Sequence, residues 1–230
     1  MPNSQDILQS WEANADNWIR TIDAGEIESR VIATNSAILD CIIHYRPERL
    51  LDIGCGEGWL TRALRQKGID AYGTDGVETL VKNAIQKDGP FYFHYTYTQI
   101  IQGTHDLPCP FDAITINFAL LDKDDTDSII QYLPNLLSET GLVFIQTLHP
   151  LSIATSGDYV SGWKEGSWQG MKQKFVLPYR WYFRTIQEWV NLFNKTGFKL
   201  LTLQEPIHPV TKSPVSIIFV LQQNNFNYKS

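Results

Sequence analysis

With 230 residues, 43% of them apolar, and a mean hydropathy of −0.21, the chain can bury one sizeable core, which excludes disordered and fibrous classes and sets one compact domain as the expectation. Nineteen Lys plus Arg against 25 Asp plus Glu leave a net charge of −6, which argues against nucleic acid as a partner. No run approaches the roughly 20 apolar residues of a membrane span, Met1 to Gln9 lacks the basic and apolar regions of a leader, and Cys41, Cys55 and Cys109 fit neither a disulfide framework nor a zinc site, so a cytoplasmic protein without a membrane partner is expected.

In chain order, Trp11, Ala15, Trp18 and Ile22 stripe one helix face and Ile38, Cys41, Ile42 and Tyr45 another, which predicts a helical cap over residues 1–46. Arg49 to Ile53 reads as a strand, followed by a helix from Trp59 to Gln66 that Gly68 stops. Ala71 to Thr74 is a second strand. It leads into a helix with Val77, Leu80, Val81, Ala84 and Ile85 on one face, ended by Asp88-Gly89-Pro90. Phe91 to Tyr95, Phe111 to Ile116 and Leu142 to Thr147 are three further strands, the last two separated by a helix through Ile129, Ile130, Leu133 and Leu137 that Pro134 threatens to kink. A long segment, 148–184, follows. Thr185-Ile186-Gln187-Glu188 then caps a helix carrying Ile186, Trp189, Val190 and Phe193, and strands from Phe198 to Leu203 and Val215 to Leu221 finish the chain.

Strands alternating with helices require crossovers, hence a parallel sheet covered on both faces. The fold class is therefore α/β: a doubly wound, Rossmann-like, seven-stranded sheet in a three-layer αβα sandwich. Pro206 to Pro214 leaves no room for a crossover helix, so the last strand is expected to be antiparallel. The single domain divides into the cap (1–46), a ligand-binding half (47–147), an insertion (148–184) and a C-terminal helix with a strand pair (185–230).

In such sheets ligands sit beyond the carboxyl ends of the strands. The first strand ends there in Leu51-Asp52-Ile53-Gly54-Cys55-Gly56-Glu57-Gly58-Trp59, whose glycines allow a tight turn and close approach of a ligand. A dinucleotide fingerprint needs a small residue where Trp59 stands, and Asp52 with Glu57 places two carboxylates where a pyrophosphate would lie. Asp75 ends the second strand about 20 residues on, where a carboxylate can accept both hydroxyls of a ribose. The residues point to an adenosine carrying cationic chemistry.

This pattern resembles the class I S-adenosylmethionine-dependent methyltransferases of the small-molecule branch, over most of the chain from Arg49 onward. The resemblance implies S-adenosyl-L-methionine as cofactor and S-adenosyl-L-homocysteine as product. Asp52, Gly54, Cys55 and Gly56 would line the methionine half, Asp75 would take the ribose hydroxyls with Gly76 beside it, and Phe111 to Leu121 would bring Asn117 and Phe118 toward the methyl group. Where the family often has an acidic residue at the adenine, this chain has Thr96-Tyr97-Thr98-Gln99, so Thr96, Tyr97, Gln99 or backbone groups would hold the base. Arg30 is a candidate for the methionine carboxylate. Asn117 stands where metal-dependent relatives carry aspartate, and the acidic run from Asp122 to Asp127 reads as a helix N-terminus, so no metal is expected.

The 148–184 insertion is too long for an ordinary loop and is expected to cover the acceptor. Trp163, Trp168, Tyr182 and Arg184 are its candidate substrate contacts. Its basic residues would suit an anionic acceptor and its rings an aromatic one. His149, after the fifth strand, is the candidate general base. The expected activity is methyl transfer by in-line displacement to an oxygen or nitrogen of a small molecule, by a monomer or homodimer. The alternative is a sensor or partner subunit that binds the cofactor without turnover.

Overall fold

The computed structural model describes residues 4–154, 157–166, 168 and 171–224. Its centre is β1 (Arg49–Ile53), whose Leu51 pairs with Tyr72 of β2 (Asp70–Asp75) on one side and Ile114 of β4 (Phe111–Asn117) on the other. With β3 (Tyr92–His94), β5 (Leu137–Leu148), β8 (Phe198–Gln204) and β9 (Ser216–Gln223), the seven strands lie in the order β3-β2-β1-β4-β5-β9-β8. Strand β9 is antiparallel to both β5 and β8, as its short connection requires, and the remaining pairs are parallel. The order reverses between β1 and β4, which opens a crevice at their carboxyl ends.

Adjacent strand residues point to opposite faces, so each strand feeds two cores. Leu51, Ile53, Ile114 and Ile116 pack with α6 (Asp124–Tyr132) and α8 (Ile186–Lys195) through Ile129, Ile130, Trp189 and Phe193. Leu50, Ala71, Ala113 and Phe144 pack with α2 (Asn35–Tyr45) and α3 (Trp59–Gln66) through Ile38, Ile42, Leu60 and Leu64. Helix α4 (Glu78–Asp88) carries Val81 and Ala84 against Tyr92, and its Leu80 meets Ala15 of α1 (Ser4–Asp23). No helix among the described residues is long and apolar enough to cross a membrane.

Three elements differ from the sequence expectation. The helix drawn through Leu137 ends at Tyr132, because Pro134 forms a 3-10 turn (Leu133–Asn135) and Leu137 already starts β5. A short α5 (Tyr97–Ile101) follows β3, held by a capping box between Thr96 and Gln99. A π-helical turn, Arg30–Thr34, leads into α2.

The insertion is a small structure of its own: α7 (Pro150–Ala154), then a hairpin of β6 (Gly162–Glu165) and β7 (Arg180–Phe183). The described part of the hairpin's long connection lies along α1. Asn14, fully buried, donates to the carbonyl of Leu177 at 2.8 Å and accepts the N–H of Val176 at 2.7 Å. Ser10 donates to the same carbonyl at 3.1 Å, and Glu26 accepts the Lys172 N–H at 3.0 Å. Replacing Asn14 by Ala leaves the Val176 N–H without its partner, and urea unfolding should show a loss of about 1–3 kcal/mol. Limited proteolysis should cut first beside Val176. An unchanged midpoint with no new cleavage would mean that the connection is held by other contacts.

Candidate functional site

Beyond β1 the chain turns through Gly54 to Gly58 into α3. Gly54 has φ +73°, and a Cβ there would stand 2.3 Å from the Ala119 side chain; at Gly58, φ +82°, it would stand 2.6 Å from the Tyr92 ring. Only glycine satisfies both demands. The N–H groups of Gly54 and Cys55 share the Thr74 carbonyl at 2.7 and 3.0 Å. Asp75, at the end of β2, accepts the Gly56 N–H on one carboxylate oxygen at 2.8 Å and the Val77 N–H on the other at 2.9 Å. One carboxylate thereby joins the glycine turn to the start of α4.

The crevice is a cavity of about 610 Å³. Its walls include Arg30, Asp52, Gly54, Cys55 and Gly56 at one side, Asp75 and Gly76 at the end of β2, Thr96 and Tyr97 after β3, and Asn117 and Phe118 after β4. The structure therefore brings the residues expected at the cofactor, Gln99 excepted, to one space. Helix α1 closes it with Leu8, Trp11 and Trp18, and the insertion adds Trp168, Met171, Tyr179 and Trp181.

Among the described residues, several buried polar atoms without partners lie on this cavity. Asp52 is 1% exposed; Thr61 donates to one of its oxygens at 2.9 Å and the other has no partner. Burial pushes the Asp52 carboxyl up to about 7, with the charges of Asp75 and Glu57 adding to the shift. Glu57 is equally buried; one of its oxygens meets Arg62 and Lys87 and the other has no partner. Arg30 lies near the rings of Trp18 and Trp59, 5.8 and 5.2 Å from their centroids, and its Nε donates to Asn35 at 3.3 Å. One of its terminal nitrogens has no partner, and burial lowers it to about 10 against the supporting charges of Glu57 and Asp52. Trp11 Nε1, the Thr34 hydroxyl and Asn117 Oδ1 are also unpartnered. Such orphans cost stability unless a ligand satisfies them, about 1–3 kcal/mol each. A carboxylate, a guanidinium and a ribose-competent aspartate on one cavity suit a ligand with an ammonium, a carboxylate and vicinal hydroxyls.

Tyr97 contributes its ring, since its hydroxyl donates to the Ala119 carbonyl at 3.0 Å and burial pushes the phenol up. Gln99 is taken by the capping box, where it accepts the Thr96 N–H at 2.9 Å, and it does not line the cavity. The acidic run behaves as a helix start: Asp122 accepts the Asp125 N–H at 2.9 Å, and Asp127 meets Arg184 and Lys123.

On the acceptor side the placement departs from expectation. Of the four candidate contacts, Trp168 lines the cavity and Trp163, Tyr182 and Arg184 do not. Trp163 and Tyr182 face each other across the hairpin with ring centroids 5.7 Å apart. Arg184 is buried beneath α6, donating to the Lys123 carbonyl and to Asp127, each at 2.8 Å, because the first turn of α6 supplies anionic and carbonyl partners that solvent would otherwise replace. His149 is also off the cavity: its Nε2 is 2.8 Å from Glu205, and its Nδ1 accepts the Leu151 N–H at 3.1 Å, so both nitrogens are engaged. Met171, Tyr179 and Trp181 were not singled out as contacts, although they share the aromatic-rich stretch that pointed to Trp168.

Residues 28–203 match the model of a methyltransferase domain. The chain belongs to the methyltransferase-domain family. An uncharacterized protein of Haemophilus influenzae is 24% identical over 80% of each chain. A ubiquinone biosynthesis O-methyltransferase of Xylella fastidiosa (strain M23) is 33% identical over 44% of this chain and 42% of its own length, so that match spans less than half of the relative. Among solved structures, an S-adenosylmethionine-dependent methyltransferase of Clostridium acetobutylicum superposes with a TM-score of 0.63 at 14% identity, covering 87% of this chain and 98% of the other. The fold is that of the class I S-adenosylmethionine-dependent methyltransferases.

With Arg184 as a brace, Arg184→Ala should lower unfolding stability by about 1–3 kcal/mol, since it removes the charge-assisted hydrogen bonds to the Lys123 carbonyl and to Asp127 while Lys123 stays beside Asp127. Folded protein should keep its affinity for S-adenosylhomocysteine. Full stability with weakened ligand binding would return Arg184 to the site.

Proposed function

We propose that this chain transfers a methyl group from S-adenosylmethionine to an oxygen or nitrogen of a small-molecule acceptor. The observation that carries the reading is the meeting of Asp52, Arg30 and Asp75 on one cavity, two of them with buried polar atoms that nothing among the described residues satisfies. In this reading Asp52 receives the ammonium of the methionine moiety and Arg30 its carboxylate. Asp75 keeps lone pairs for the ribose hydroxyls after serving Gly56 and Val77. The Tyr97 ring and the backbone at Thr96 flank the base, and Asn117 and Phe118 border the transfer point. When bound, the cofactor supplies an electrophilic methyl carbon on a sulfonium.

What the chain itself adds is mostly positioning. Holding reactants in register is worth about 7–11 kcal/mol, whereas a general base adds about 10²–10⁴ in rate, or roughly 3–5 kcal/mol. With His149 bonded at both nitrogens, the reading assigns it to bracing the start of the insertion against Glu205 and leaves catalysis to orientation and exclusion of water. The 1–46 cap and the 148–184 insertion act as the cover that excludes that water. A relative named for ubiquinone biosynthesis supports a small-molecule acceptor.

Calorimetry with S-adenosylhomocysteine and with NADH tests the cofactor. The homocysteine product should bind and NADH should not, and Asp75→Ala should raise the dissociation constant at least about tenfold, by loss of charge-assisted hydrogen bonds to the ribose. Tight NADH binding, or full affinity in Asp75→Ala, would contradict the reading. Transfer of a labelled methyl group to members of a phenol and amine panel separates an enzyme from a protein that only binds the cofactor.

A further inference from the structure

The acceptor's charge class can be read from what the cavity lacks. Among the described residues, the Lys and Arg side chains on its wall reduce to Arg30, which is drawn to Asp52 and Glu57 at the glycine turn. The basic residues of the insertion are all directed elsewhere. Arg180 pairs with Glu165 at 2.8 Å, Arg184 is buried on Asp127, Lys164 lies 5.8 Å from the Phe183 ring centre, and Lys172 and Lys174 are exposed and off the wall. The carboxyl ends of β4 and β5 contribute Leu121, Thr147 and Leu148, and the wall beside Leu121 carries Asp122 and Asp125. Asp122 is held in place as the cap of α6.

Much of the rest of the cover is aromatic. Trp11 stands edge-on to Trp168 at 5.4 Å, and Trp168 tilts against Tyr179 at 4.6 Å. A carboxylate or phosphate entering here would lose its water, find no Lys or Arg of its own among the described residues and face two aspartates, each of which opposes binding. A neutral ring would trade water for ring faces and edges.

Resting on the cofactor reading above, we propose that the acceptor is an uncharged aromatic molecule and that the site rejects anionic aromatics. This narrows the expectation from sequence, in which the basic residues of the insertion suited an anionic acceptor.

The test uses a matched pair of rings, 2-naphthol and 2-naphthoate, titrated by calorimetry near neutral pH into the full chain saturated with S-adenosylhomocysteine. The neutral ring should bind at least about tenfold more tightly than the anion. Leu148→Lys places an ammonium at the rim of the wall, at a residue 44% exposed and so tolerant of a polar side chain, and should narrow the ratio. Equal or tighter binding of 2-naphthoate by the natural chain would overturn the proposal, as would failure of 2-naphthol to bind at millimolar concentration. A chain that fails to bind S-adenosylhomocysteine in the first titration instead overturns the cofactor reading, which keeps the two failures apart.

Discussion

The architecture of the site depends on one carboxylate. Asp75 accepts the N–H groups of Gly56 and Val77, so the end of β2, the glycine turn and the first residue before α4 are set relative to one another by two charge-assisted hydrogen bonds. Once the turn is set, Asp52 and Glu57 are carried into the same buried region as Asp75. Three carboxylates within one wall repel one another, and the protein offsets that cost only in part, through Arg62 and Lys87 on Glu57 and the nearby charge of Arg30. Burial accounts for most of the rise in the Asp52 carboxyl, and the charges of Asp75 and Glu57 add to it. A ligand that brings positive charge relieves it, and one that brings a pyrophosphate aggravates it.

The second constraint is the coupling of the two ends of the cover. Helix α1 and the insertion are about 160 residues apart in the chain, and Asn14 reads the insertion's backbone in both directions, as donor to Leu177 and acceptor from Val176. This brings Trp11 and Trp18 from one segment against Trp168 and Tyr179 from the other. The tryptophans that stand out in the composition are thereby divided between a wall over the cavity and a core: Trp11, Trp18, Trp59, Trp168 and Trp181 line the space, Trp163 packs across the hairpin, and Trp189 lies with Phe193 and Phe219 beneath the sheet.

How much of this was legible in the sequence follows from the range of the interactions involved. The strands, the glycine turn and Asp75 were readable because each is set by a local demand: alternating burial, a positive φ, the end of a strand beside a turn. The antiparallel β9 was readable because a short connection permits nothing else. Arg184 and His149 were misplaced because the partners that hold them, Asp127 and Glu205, lie 57 and 56 residues away and have no local signature. The short α5 is signalled by Thr96 and Gln99 in capping-box spacing, the same residues whose position after β3 suggests adenine contacts. The π-helical turn that delivers Arg30 and Thr34 to the cavity has no mark in the residue pattern.

In the proposed role, Asp52, whose carboxyl burial raises to about 7, ionises to meet the ammonium of the cofactor. An acid raised to about 7 is mostly protonated below that pH and ionised above it. A ligand that needs the ionised form must release the proton when it binds in more acidic buffer, and must bind more tightly as the pH rises through 7. Calorimetry of S-adenosylhomocysteine binding below neutrality, in buffers of differing ionisation enthalpy, measures that proton directly. Net proton release is expected in the natural chain, and its disappearance in Asp52→Asn. Proton uptake, or the same release in Asp52→Asn, would contradict it.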